Sequence, residues 1–418
     1  MSRAAADAHV LELDHGFVVS TGIECSAPVI RPGFRQDELL KTGHWERYAE
    51  DFALIADFGM RYVRWGVPFH LVASGPRAAA FDWRWTDDAL AALRDAGLEP
   101  ILDLLHFGLP DDIGGVTDRR LVERFEAYVS EVVGRYPWVR YYTPVNEPQV
   151  LAVLSTIAGL WYERDRSDRA LVAAIDNLVT CAIRGMDIIR AARPDAIFLQ
   201  SDACEGYQAE TAGDARQEER ARFLNERRFL AFDLTYGRRP AASVARWLEA
   251  NGMTSERLDW FASHGSTEGC IVGHDYYRGN EWLVTERSAK RAGPRRRGYL
   301  ALAREYHARY GMPFMLSETN IAGQLAMNWL AETWADALEM RAEGLPTRGI
   351  CWYGFLDHVD WDSALTIDRG RVNRCGLVSL DRRPHRVGLA YRDLAQAALR
   401  GVFAPLPDRR QRRRTIAA

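Results

Sequence analysis

Glu147 closes the run V-R-Y-Y-T-P-V-N-E-P-Q, Val139 to Gln149, and Glu318 closes P-F-M-L-S-E-T-N, Pro313 to Asn320. Both runs begin with residues suited to a buried strand and stop on polar ones. A carboxylate at a strand end reads as an active-site edge, because chemistry in parallel α/β folds gathers where the strands finish. Two carboxylic groups on different strands are what cleavage of a glycosidic bond requires. One protonates the leaving oxygen, and the other attacks the anomeric carbon or activates a water. Asn146, beside Glu147, can hydrogen-bond a sugar hydroxyl next to the reacting carbon. A retaining pair of this kind holds its carboxyl groups about 5 Å apart, an inverting pair about 9 Å.

The elements that position these groups alternate along the chain. Strand-like runs fall at Phe17–Ser20, Arg61–Pro68, Leu98–Leu105, the stretch ending in Glu147, Ala196–Asp202, Cys270–Tyr277, Phe314–Glu318 and Gly349–Leu356. Helical spacing separates them: Trp45–Phe58 carries Trp45, Tyr48, Phe52 and Ile55 on one face, and Leu121–Arg135 follows a capping Asp118. Further helices are expected over Asp87–Asp95, Asp168–Ala192, Gly298–Tyr310, Leu325–Glu343 and His385–Leu399. Eight near-continuous apolar strands, each followed by a helix, predict a single (β/α)₈ barrel. The competing open doubly wound sheet would carry a glycine-rich phosphate turn after an early strand, and no such motif is present. The barrel is expected over residues 17–402, after a lead-in at 1–16 and with a charged, mostly helical insertion around 204–266. Residues 403–418, with Arg409, Arg410, Arg412, Arg413 and Arg414, read as a solvated, disordered basic tail.

The chain has 418 residues with 54 Lys+Arg against 57 Asp+Glu, a balance that suggests neither a nucleic-acid nor a membrane partner. No apolar run is long enough to span a bilayer and the N-terminus lacks a signal core, which reads as a cytoplasmic protein. The six cysteines form no C-x-x-C pair and are expected to be free, buried thiols. His274 and His358 read as polar residues at the barrel rim, since no metal-ligand spacing exists. The chemistry calls for no metal and no organic cofactor. The partner is a glycoside, and nothing bears on the oligomeric state.

With these strand ends in view, the chain resembles glycoside hydrolase family 1, the β-glucosidase type, over most of residues 17–400. T-P-V-N-E-P resembles that family's T-F-N-E-P, which implies that Glu147 is the acid/base. L-S-E-T-N resembles its T-E-N-G segment, which implies that Glu318 is the nucleophile. Y-V-R-W resembles Y-R-F, whose arginine contacts the nucleophile, here Arg64. L-H-F-G-L-P resembles H-W-D-L-P, whose histidine holds a sugar hydroxyl, here His106. G-H-D-Y-Y resembles L-N-Y-Y, whose second tyrosine bonds the nucleophile, here Tyr277. F-L-D-H-V-D-W resembles L-L-D-N-F-E-W, whose acid and tryptophan grip the sugar, here Asp360 and Trp361. G-I-E-C, Y-P-W-V and N-E-R-R-F-L-A-F-D-L further resemble a bacterial subgroup of the family, some of whose members are fused to a dTDP-4-dehydrorhamnose reductase domain.

Some positions depart from the family pattern. Glu24 is the nearest candidate for the strand-one glutamine, Asp275 replaces the asparagine of L-N-Y-Y, and Phe107 replaces the tryptophan after the histidine. Asp360 is one methylene shorter than the usual glutamate. Tyr353 aligns with the tryptophan of W-S-L-L-D, and Trp352 is its neighbour. The resemblance implies a retaining β-glycosidase with an altered, acid-rich sugar grip made by Asn146, His106, Glu24, Asp275, Trp352, Tyr353, Asp360 and Trp361. Transfer to an acceptor other than water would use the same residues. A non-hydrolytic carbohydrate-binding barrel is the alternative from another class.

Overall fold

The computed structural model describes residues 13, 15–31, 33–73 and 81–406. Most of the expected lead-in, Pro32 of the first loop, and the arginines of the basic tail lie outside the described residues. Eight parallel strands close into a barrel: β1 Val18–Gly22, β2 Tyr62–Gly66, β3 Glu99–Asp103, β4 Tyr141–Thr143, β5 Ile197–Ala203, β6 Cys270–Asp275, β7 Phe314–Thr319 and β8 Thr347–Tyr353. Each strand pairs with the next, and β8 returns to β1 through Val18↔Gly349 to Gly22↔Tyr353. The architecture is therefore the predicted (β/α)₈ barrel.

Side chains on a strand alternate between its two faces, so every second residue enters the barrel. Each strand gives one residue to an inner apolar layer: Val18, Tyr62, Ile101, Tyr141, Leu199, Ile271, Met315 and Cys351. Two residues further along, the inward positions become Ser20, Arg64, Asp103, Thr143, Ser201, Gly273, Ser317 and Tyr353. The barrel is thus sealed by oil below and filled by polar groups above, at the ends where the strands finish. Glycine at two of these ends makes room for the change. A Cβ on Gly22 would lie 2.2 Å from the Tyr353 ring, and one on Gly273 would lie 2.7 Å from the Ser317 hydroxyl.

The outward residues of the same strands pack under the helices in one continuous core, with Trp65, Tyr142, Phe198, Leu316 and Trp352 all buried. Helix His44–Asp57 buries Phe52 and Ile55, and helix Arg120–Arg135 buries Leu121, Phe125, Tyr128 and Val132. Asp118 does not cap the latter helix at its N-cap, which is Arg119, but its carboxylate accepts the Arg120 N–H at 3.0 Å. The insertion after β5 is mostly helical, with helices Ala215–Arg227, Leu230–Thr235, Ala242–Ala250 and Ser255–His264. It opens with the strand Gly206–Ala209, which pairs with Glu281–Val284, and the latter pairs with Ala289–Arg291. That pairing joins segments far apart in sequence, so no local periodicity could signal it. All six cysteines are free and buried, and no helix among the described residues is long and apolar enough to cross a membrane.

Candidate active site

Arg64 is the centre of the polar layer. It projects inward from the middle of β2 and is fully buried. One guanidinium nitrogen donates to Glu318 Oε1 at 2.6 Å and stands 4.0 Å from Asp275 Oδ1. The other donates to Asp103 Oδ2 at 2.8 Å and to Asn146 Oδ1 at 2.7 Å. Burial works against its charge, but Asp103, Glu318 and Asp275 together hold it firmly cationic.

Glu318 faces this cation because β7 is irregular. Alternation from Met315 turns Ser317 inward and would send Glu318 outward. The register against β6 slips between Leu316 and Glu318, and Glu318 pairs with Asp275 instead. A register slip at a strand end is a known way to re-aim a side chain. Tyr277, just beyond β6, donates its hydroxyl to Glu318 Oε2 at 2.8 Å. Both carboxylate oxygens of Glu318 are thereby held by donors.

Glu147 stands opposite. Its backbone is in the left-handed region at φ 44°, and its N–H donates to the Ser201 carbonyl at 2.9 Å. Carboxylate oxygens of Glu147, Asp275 and Glu318 all lie within 4.8 Å of one another. No donor among the described residues touches the Glu147 carboxyl. Burial above all, and then the charges of Glu318, Asp275 and Asp202, push its pKa well above the ordinary carboxylate value. The two glutamates are therefore close in space and unlike in surroundings. Three acids this near could in principle hold a cation, but the Arg64 guanidinium already supplies positive charge among them.

His106 and Asn146 adjoin the pair. His106 Nδ1 lies 3.1 Å from Asp103 Oδ2 and Nε2 lies 3.3 Å from the Asn146 amide nitrogen; burial opposes the imidazole's charge, but Cys25, Asp103 and Glu24 hold its pKa well above the ordinary histidine value. Arg64 fixes the Asn146 oxygen, so the amide nitrogen is the end that turns toward His106. Tyr353 packs parallel to the His106 ring at 5.7 Å, with Arg64 5.2 Å from its centroid. Glu24 accepts the Ser26 N–H at 2.8 Å and sits 3.9 Å from His358. Trp361 is half-buried, and its ring lies 6.3 Å from Trp161 and 6.4 Å from His358.

Three of the expected sugar-gripping residues are placed otherwise. Trp352 lies on the outer face of β8, fully buried under the last helix, and its indole N–H donates to the Cys375 carbonyl at 2.8 Å. Strand alternation decides this: since Tyr353 enters the barrel, its neighbour cannot. Asp275 is wholly buried between the hydroxyls of Ser201 and Ser317 and lies against Glu318 rather than toward an open surface. Burial and the charge of Glu318 drive its pKa well upward. The Asp360 carboxylate is saturated by Lys41 at 2.8 Å and by the backbone N–H groups of Arg369, Gly370 and Arg371 at 2.9–3.0 Å. It organises its own loop. The two rim histidines are also interior: His274 packs against Tyr299, Tyr306 and Phe314, and burial lowers its pKa to about 3. His358 is buried beside Glu24.

The sequence reading missed Asp103, which holds both Arg64 and His106. Its signal was available, since it ends β3 at an inward position. It also missed Ser201 and Ser317, the hydroxyls around Asp275, and Asp202, which is near Glu147 and which burial raises to about 7.

Residues 36–257 match the model of glycosyl hydrolase family 1. Among curated relatives, coniferin beta-glucosidase of Pinus contorta is 27% identical over 124 residues, 28% of this chain and 24% of that protein. Thermostable beta-glucosidase B of Thermobispora bispora is 35% identical over 124 residues, 26% of its length. Aryl-phospho-beta-D-glucosidase BglC of Bacillus subtilis is 29% identical over 115 residues, 24% of its length. The chain thus spans about a quarter of the length of the curated relatives it matches. Among solved structures, the beta-glucosidase from Thermotoga maritima in complex with castanospermine superposes with a TM-score of 0.77 at 17% identity, over 96% of this chain and all of that one.

Proposed function

This chain belongs to glycosyl hydrolase family 1, and from that premise we propose that it is a retaining β-glycosidase whose residues 17–402 act as one catalytic unit. The observation that carries the reading is the approach of the Glu147 and Glu318 carboxylates to within 4.8 Å in unlike surroundings. That spacing suits a retaining pair and is too short to seat a water for inversion. Glu318, held by Arg64 and Tyr277, attacks the anomeric carbon. Its oxygen forms the new C–O bond as the bond to the leaving group breaks. Glu147, which holds its proton through burial, passes it to the departing oxygen. In the second half, Glu147 takes a proton from an incoming water, and the hydroxide displaces Glu318 from the sugar. The mechanism uses only side chains of this chain.

Asn146, His106, Tyr353, Trp361 and Glu24 are the residues proposed to hold the sugar. A pure carbohydrate binder fits less well. Nothing in binding calls for two donors fixed on Glu318 and none on Glu147. The test is incubation with a 2-fluoro-β-glycoside bearing a good leaving group. The expected result is a mass gain of one fluorosugar, mapped to the peptide holding Glu318. No gain across gluco, galacto and manno reagents would overturn the reading.

A further inference from the structure

Asp202 is a buried acid near the end of β5 that the proposed mechanism does not use. Its neighbours make it part of the mount of Glu147. The chain at Glu147 is stretched between two strands. Asn146 donates its N–H to the Leu105 carbonyl, just beyond β3, at 2.9 Å, and Glu147 donates its own to the Ser201 carbonyl of β5, also at 2.9 Å. The helix Pro148–Ser155 begins directly afterwards, and Glu147 occupies its N-cap position. A polar residue there ordinarily turns its side chain back to accept the first free N–H groups of the helix. Glu147 makes no such bond, and its backbone is left-handed rather than extended as a capping residue's would be. Pro148 has no N–H to satisfy, so the first unclaimed donor is that of Gln149. Asp202 claims it. Its Oδ2 accepts the Gln149 N–H at 2.8 Å, its Oδ1 accepts the Ala203 N–H at 2.8 Å, and the Val150 N–H also faces the carboxylate.

One strand thus holds the chain at two points, Ser201 at Glu147 itself and Asp202 two residues beyond. A left-handed backbone at a residue other than glycine is strained and persists only where its surroundings over-determine it. These bonds supply that constraint. We propose that Asp202 is the positioning residue of the proton donor: it caps the helix in place of Glu147 and so keeps the Glu147 carboxyl free to serve the leaving group. The proposal rests on the glycosidase reading and deepens it. Without Asp202 the Gln149 N–H loses its acceptor, and Glu147, in the capping position, is the side chain placed to answer it. The charge of Asp202 works in the same direction. Burial raises its pKa to about 7 against the pull of the three backbone N–H groups, and Glu205 adds to the rise. At Glu147, burial acts with Glu318, Asp275 and Asp202 to keep the proton on, His106 opposes them, and the Tyr277 phenol faces it as well.

The experiment measures kcat/KM against pH for phenyl and 2,4-dinitrophenyl β-glycosides in wild type, Asp202→Ala and Asp202→Asn. The sugar is whichever of gluco, galacto and manno labels Glu318 as its 2-fluoro derivative. Asp202→Ala should lose about 10²-fold on the phenyl glycoside, the cost of a displaced donor, and much less on the dinitrophenyl one, whose leaving group needs no proton. Asp202→Asn keeps an acceptor for the Gln149 N–H and should recover most of that loss. Without the charge, however, Glu147 gives up its proton earlier, and the alkaline limb should move to lower pH. A cap that serves stability alone would change Tm but neither the leaving-group dependence nor the limb. Equal losses on both glycosides, or no loss on either, overturn the proposal, as does an unmoved limb in Asp202→Asn. If Asp202→Ala does not fold, the limb of Asp202→Asn decides. Any of these overturning results alongside Glu318 labelling sinks this proposal alone. A wild type that neither labels nor turns over either glycoside sinks the glycosidase reading and this proposal with it.

Discussion

Two acid clusters of the molecule are each built around a single strong cation, but the two cations hold different partners. At the reacting end, Arg64 is shared among Asp103, Glu318 and Asn146, and the acid left outside that network is Glu147. In the second cluster, Lys41 is spent on Asp360 and Asp368, the acids of a loop. The difference teaches where reactivity comes from. A cation that holds a carboxylate of the reacting pair serves chemistry and one that holds a loop acid serves structure, while Glu147, buried and without a donor among the described residues, keeps a proton to give.

The sharpest way to break this comparison is to remove the acids of the reacting end. Glu318→Gln should lower kcat by at least about 10⁴-fold, in line with losses of other nucleophiles. Glu147→Gln should cost about 10²–10⁴-fold with poor leaving groups and much less with 2,4-dinitrophenolate, which needs no proton. Glu147 donates its proton only below its raised pKa, so activity falls as pH rises through that value, and Glu147→Gln should lose this alkaline limb. Steady-state kinetics across leaving groups and pH checks all three outcomes.

Arg64→Met tests whether the shared cation is also structural. It removes the cation that Asp103, Glu318 and Asp275 share, and stability should drop by about 3–5 kcal/mol in chemical denaturation. A smaller cost would mean that the acids take up protons instead, which proton uptake on folding, measured across pH, would reveal.

In the second cluster, Asp360→Asn should lower stability at neutral pH. Burial raises the Asp360 pKa, but Lys41 and three backbone N–H groups outweigh that and bring it down to about 2 from the ordinary 3.8. A depressed native pKa stabilises above the unfolded value and is lost as pH falls through the native one. The gap in Tm between wild type and variant should therefore close between about pH 4 and about pH 2. A gap independent of pH would show that packing, not charge, is what Asp360 contributes.

The smallest expected effect is that of Trp352→Phe. It removes the donor to the Cys375 carbonyl and should cost about 1–3 kcal/mol, with KM for a simple glycoside unchanged. A large rise in KM would return Trp352 to the sugar site.

Which parts of this were legible in advance follows from the range of the forces involved. Strand period, strand ends and helix faces are local properties, so the eight-stranded barrel and the placement of Glu147 and Glu318 at strand ends could be read from the residues themselves. The choice between Trp352 and Tyr353 depended on which face of β8 meets the barrel axis, and adjacent residues always take opposite faces. Glu318 needed the slip against β6 to turn inward, and only pairing between strands can produce one. Asp275 and Asp360 kept the chemical types that suggest sugar contact, but the serines on β5 and β7 and the lysine of an early helix claimed them first. Sequence by itself determined which groups could do acid–base chemistry and where along the chain they stand. Tertiary structure alone decided which of those acids are neutralised by a neighbour and which are left free, because a carboxylate's charge is set by groups that meet only when the barrel closes.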